Sequence, residues 1–169
     1  ERILDGEPGN LPALVNLGNI RLGQGDPSKA ADLQRRAVTS SPGTPEAHYN
    51  LASALFHLDR IEEAFAEYEW RWKMAGFTSS LPDIAKPRWN GEANSGLHLH
   101  LVPEQGLGDC LHFIRFARLA RERVGHLSVE TPGPLISLFG DVDGIDEIVP
   151  YGSKRPDIDC WLPMLSLPH

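Results

Sequence analysis

The chain has 169 residues, 41% of them hydrophobic, enough for a substantial core and for one or two domains. Its formal net charge is −7 and its basic residues are scattered, which argues against nucleic acid as a partner. No run approaches the roughly 18 apolar residues of a membrane span, no secretory leader is visible, and the two cysteines, Cys110 and Cys160, make no disulfide framework, so a cytoplasmic setting is expected.

From the N-terminus to about residue 75 the chain repeats itself. A shift of 34 positions lays 11–43 on 45–77, and what recurs has mechanical meaning. Leu17 and Gly18 fall on Leu51 and Ala52, where a small residue lets two helices approach. Gly25 falls on Asp59 at the turn, Ala30 on Ala64, and Pro42 closes a unit as Pro8 closes an earlier, partial one. Apolar residues follow helical spacing, as in Leu51, Ala54, Leu55 and Leu58, then Ile61, Ala64, Phe65 and Tyr68. One helix pair cannot bury such stripes alone, so further repeats are expected ahead of Glu1.

This pattern resembles the tetratricopeptide family over 1–75, as one partial and two complete repeats, with Leu14 and His48 where the family places Trp. The resemblance implies that the first helix of each unit lines a concave groove holding a polypeptide. Asn16 and Asn50 occupy the same place in successive repeats. A carboxamide there can donate to one peptide carbonyl and accept from the next amide, gripping a main chain without reading its side chains. Such an asparagine ladder resembles the superhelix of O-linked N-acetylglucosamine transferases; the alternative is that Asn-Leu is ordinary repeat sequence. Tyr49, Ser53, Phe56 and His57 would flank the groove. No third ligand accompanies His48 and His57, so no metal is expected there.

Residues 76–96 mix Pro, Ser, Gly and Asn without period and read as a linker. From Leu97 onward short apolar runs alternate with amphipathic stretches, the signature of a parallel α/β unit over 97–169. Strands are expected at 97–103, 126–130, 147–151 and 159–162, with helices at 109–123 and 133–139. The predicted class is therefore α plus α/β: a helical-repeat stack followed by a partial Rossmann-like domain. His98 and His100 share one strand face; a metal pair is conceivable there, but a central strand is covered on both sides and no acidic or cysteine partner is apparent, so packing is the expected role. Functional loops in such units follow the carboxyl ends of strands, which singles out Glu104-Gln105-Gly106-Leu107-Gly108-Asp109. Gly106 and Gly108 permit a tight turn before a helix N-terminus, a combination that suits an anion. A dinucleotide site, with Glu130 as its ribose acid, competes; Leu111 in place of the third glycine and a carboxylate at Asp109 count against it.

That loop, together with Phe113, Arg115, Phe116, Val129-Glu130 and the closing Leu165-Ser166-Leu167-Pro168, resembles bacterial proteins that join tetratricopeptide repeats to a glycosyltransferase-like domain. Its Leu-Gly-Asp turn is similar to that of lipopolysaccharide heptosyltransferases. The resemblance implies a sugar transferred from a nucleotide-sugar donor, a co-substrate instead of a bound cofactor, to a glycan or protein acceptor. Asp109 would be the general base, or else simply the cap of its helix. Glu104 would orient the acceptor or itself be the base, with Gln105, Gly106 and Gly108 shaping the acceptor loop. A transferase of this kind needs a second domain for its donor, so 1–169 alone is expected to be catalytically incomplete. The competing reading is a non-catalytic scaffold.

Overall fold

The computed structural model describes residues 2–77, 79 and 81–169. Glu1, at the start of the expected repeats, and Thr78 and Ser80, within the expected linker, lie outside the described residues. The chain divides into two compact units, 1–80 and 81–168.

The first unit is helical: α1 (Arg2–Gly6), α2 (Leu11–Gly23), α3 (Pro27–Ser40), α4 (Pro45–Phe56), α5 (Ile61–Tyr68) and a closing 3₁₀ segment, Glu69–Lys73. The sequence period is kept in the backbone, since α2 and α4 begin at Leu11 and Pro45, and α3 and α5 at Pro27 and Ile61. Gly25 and Asp59 both turn the chain through the left-handed region, at φ 77° and 55°. Glycine enters it without penalty, and Asp tolerates it better than most side chains. Asn10 and Asp26 cap α2 and α3 by accepting from the backbone of Ala13 and Lys29, each at 3.1 Å.

Each helix packs on the next in sequence. Leu14, Ala37 and Ala47 are fully buried, and Leu51, Ala54, Leu55 and Ala64 join Ala30 and Ala31 in a second cluster. Ile61 departs from expectation: at the first turn of α5 it stays 41% exposed. Gly18 is the close-approach position, because a Cβ there would sit 2.4 Å from the Gln34 side chain. Gln34 is buried and donates to the Val15 carbonyl and to Asn19 Oδ1, a polar cross-tie within the helix pair.

The second unit holds β1 (Asn94–Val102), α6 (Leu107–Phe113), α7 (Ala117–Arg121), β2 (Val124–Thr131), α8 (Ile136–Phe139), β3 (Glu147–Pro150) and β4 (Cys160–Pro163). The four strands form one parallel sheet in the order β3-β2-β1-β4. The chain is thus a tetratricopeptide-like helical region followed by a small parallel sheet with helices. Two local expectations need correcting. The helix foreseen at 109–123 is α6 and α7 separated by a 3₁₀ turn at Ile114–Phe116, and it starts two residues early, at Leu107. The linker foreseen at 76–96 ends sooner: 94–96 open β1, while Pro87 and Trp89 exchange backbone bonds with Trp161 at 3.1 and 2.9 Å. Backbone pairing needs no side-chain period, so it left no mark on composition.

Alternation along the central strands sorts their side chains. Leu99, Leu101, Leu127 and Val129 are fully buried on one face; His98, His100, Ser128 and Glu130 project from the other. Parallel sheets usually carry apolar side chains on both faces, so this polar second face is a distinctive feature of the unit.

Candidate functional site

The strand order fixes where a crevice can form. β2 and β3 are laid down on one side of β1 and β4 on the other, so the chain reverses direction between β1 and β4, and their carboxyl ends flank the switch point. The segment leaving β1 is Pro103–Gly106; the segment leaving β4 is the 3₁₀ turn Met164–Ser166. Glu104 joins the two. Its side chain is buried, and Oε1 accepts from the Leu165 backbone N–H at 3.0 Å. Sequence placed Glu104 as a second base or acceptor-orienting group; here one of its oxygens straps the two strand exits together.

Gln105, not Gly106 or Gly108, takes the left-handed conformation in this loop, at φ 59°. Gly106 is extended and precedes α6, and a Cβ on Gly108 would meet nothing within 4 Å, so neither glycine is required by its own backbone angle or by crowding. Asp109 is the third residue of α6, and its Oδ2 accepts from the Gly106 N–H at 3.0 Å. This is the capping interaction weighed above, made from inside the helix. Oδ1 takes no hydrogen bond among the described residues. Leu107 and Leu111, one turn apart, leave apolar surface exposed on the same short helix. Burial, then the Asp109 carboxylate, pushes the Cys110 thiol up to about 11, which removes it as a nucleophile near neutrality. His112 bonds Arg115 at 3.1 Å on the surface.

Glu130, the candidate ribose acid, is occupied. Its Oε2 accepts from Arg155 Nε at 2.8 Å and lies 3.5 Å from His100 Nε2. Burial raises its carboxyl, but the His100 ring beside it, the bond from Arg155 and the Arg155 charge outweigh that and hold it below its ordinary value. A carboxylate so enclosed is unavailable to a ribose hydroxyl.

In the repeat unit, Asn16 on α2 is exposed and Asn50 on α4 half-buried, and neither carboxamide takes up a hydrogen bond among the described residues. The residues placed beside them are partly committed elsewhere. Tyr49 tilts against Tyr68 at 5.6 Å, and Phe56 meets Phe65 edge-on at 5.0 Å, so both rings also fasten α4 to α5. Ser53 Oγ donates to the Tyr49 carbonyl, and His57 Nδ1 lies 2.8 Å from the Ser53 carbonyl. His48 fills the family's Trp position by stacking flat on Trp70 at 3.8 Å while its nitrogens meet Glu67 and the Pro42 carbonyl.

Sequence reasoning met only one strand's share of a further constellation. On the polar face of the sheet, Ser128 Oγ bridges His98 Nε2 and His100 Nδ1 at 2.8 Å each. His126 meets His98 edge-on at 4.4 Å, and its Nε2 lies 3.7 Å from Glu147 Oε2. Burial, then the neighbouring His126, holds His98 below its ordinary value, so the ring is neutral near pH 7. The signal was present only as His98 and His100 in alternation; the partners come from two other strands.

Residues 13–71 match the tetratricopeptide repeat family. Protein FlbA of Caulobacter vibrioides is 32% identical over 105 residues, spanning 60% of this chain but only 16% of that protein. Among solved structures, a mutant of the Thermobaculum terrenum O-GlcNAc transferase is similar over 87% of this chain and 36% of its own, at 19% identity and a TM-score of 0.37. The chain thus spans a minor part of the length of either protein, and the tetratricopeptide match lies within 13–71.

Proposed function

We propose that the repeat module binds an extended polypeptide by its main chain through Asn16 and Asn50. The supporting observation is that these two carboxamides, one repeat apart on α2 and α4, have donors and acceptors left over among the described residues. A carboxamide offers an acceptor oxygen and a two-hydrogen donor, which matches one peptide unit. Peptides selected from a random 12-residue display library supply the probe. Asn16→Ala and Asn50→Ala should each weaken their binding about tenfold, the worth of roughly one or two lost hydrogen bonds. An unchanged Kd in the double variant would refute the reading.

The α/β unit favours a second reading, that of the acceptor side of a sugar-transferring enzyme. Its support is the switch-point position of the Asp109 loop and the similarity of that loop to glycosyltransferase-like proteins. Asp109 Oδ1 would take the proton of the acceptor hydroxyl as that oxygen attacks the sugar carbon and the nucleotide leaves. In the full-length protein, Asp109→Asn should abolish transfer from a nucleotide sugar while acceptor affinity stays within about twofold. Unaltered turnover would leave Asp109 as a helix cap and the chain as a scaffold.

A further inference from the structure

We propose that His98, His126 and Glu147 form a binding site for one divalent transition-metal ion of the zinc class on the polar face of the sheet. The three residues come from three adjacent strands, β1, β2 and β3, and each offers a ligand atom within 4.8 Å of the others. Four-coordinate zinc bonds of about 2.0–2.1 Å put donor atoms about 3.3 Å apart, so closure asks only for side-chain rotations of an ångström or so.

The pairing makes the geometry. His98 and His126 are direct cross-strand partners, and Glu147 pairs with Ser128, two residues beyond His126 on the same face. Two imidazoles and a carboxylate are the ligand types of three-ligand zinc sites, with a fourth position left to water. A group that would orient one of them is present. Asp146 Oδ2 stands 3.8 Å from His126 Nδ1, leaving Nε2 directed to Glu147. Such outer partners set ring orientation in metal sites. Access is open, because the His126 and Glu147 side chains remain 42% and 45% exposed. His98 gives up at most its bond to Ser128, which keeps His100. The site lies near the amino ends of β2 and β3, at the other end of the sheet from the Asp109 loop, so it concerns neither proposed reading above.

The full chain, freed of metal by chelator dialysis, should bind one equivalent of Zn²⁺ in calorimetric titration and gain thermal stability as it does. Co²⁺ should give the visible absorption of a four-coordinate ion. His126→Gln and Glu147→Gln should each weaken Zn²⁺ binding at least about tenfold, whereas His57→Ala and His112→Ala should leave it unchanged. Glu147 is half-exposed on an edge strand, so its variant keeps the fold, which far-UV circular dichroism verifies. Failure of the wild type to bind one equivalent at micromolar Zn²⁺, or equal affinity in Glu147→Gln, overturns the site.

Discussion

Gly125→Ala is expected to destabilise the α/β unit by about 3 kcal/mol or more, a large share of what a small domain possesses. A Cβ at Gly125 would lie 1.9 Å from the Ser95 carbonyl oxygen and 2.8 Å from its carbon. Both atoms are backbone, so no side chain can swing aside. Between the Asn94↔Val124 and His98↔His126 pairs, β1 advances four residues while β2 advances two, and the excess on β1 bulges against Gly125. A methyl group there must push the strands apart and lose the Asn94 pairing, including the Asn94 N–H to Arg123 carbonyl bond of 2.7 Å. Gly108→Ala is the control: its Cβ meets nothing, it sits in α6, and exchange for a better helix former should be neutral or stabilising by up to about 1 kcal/mol. Urea midpoints of the two variants test the contrast, and equal midpoints would contradict it.

In the repeat unit the largest loss is expected at Arg71. Its side chain is fully buried, with the guanidinium 4.6 Å from the Tyr68 ring and 4.5 Å from the Trp72 ring. It donates to the Tyr68 carbonyl at 3.2 Å and to Glu69 Oε1 at 2.7 Å. Arg71→Ala removes the stack and deprives a largely buried Glu69 carboxylate of this cation, a change that costs about 3–5 kcal/mol for buried pairs. Arg71→Lys keeps the charge but not the planar fork between two rings, so its cost should fall between wild type and alanine. A double-mutant cycle with Glu69→Gln separates the ion pair from the stacking. Wild-type stability in Arg71→Ala would mean that this cluster does not hold the end of the repeat unit together.

These two positions also mark what the sequence could and could not disclose. The repeat was legible because its period lies in local chemistry: Pro27 and Ile61 opening equivalent helices, Gly25 and Asp59 in the same left-handed turn, alanines where helices meet. Arg71 carried no such mark, since a lone Arg beside aromatics looks like surface until packing encloses it. Gly125 drew no attention while Gly106 and Gly108 did, because a glycine motif is visible in one dimension and a strand crossing is not.

The site behaves likewise. The Asp109 loop follows the carboxyl end of β1, as alternating runs had led one to expect, but its place at the switch point comes from the strand order, which no run discloses. The start of α6 lies two residues earlier than expected because Gly108, a poor helix former, is helical here, and that shift turned Asp109 from the first residue of the helix into its third. Glu104 looked like chemistry because it directly follows the expected strand at 97–103; its bond to Leu165 joins residues 61 apart, beyond any local pattern. His98, His126 and Glu147 escaped for the same reason, since only the strand order β3-β2-β1 brings them together.

The central claim is that the repeats hold a polypeptide by its main chain. N-methylation of the backbone amides of a selected peptide, set beside an alanine scan of its side chains, tests this most directly. Methylating the amides that face Asn16 and Asn50 should weaken binding at least about tenfold, with single alanine changes staying within about threefold. Binding that ignores N-methylation and collapses on loss of particular side chains would contradict it.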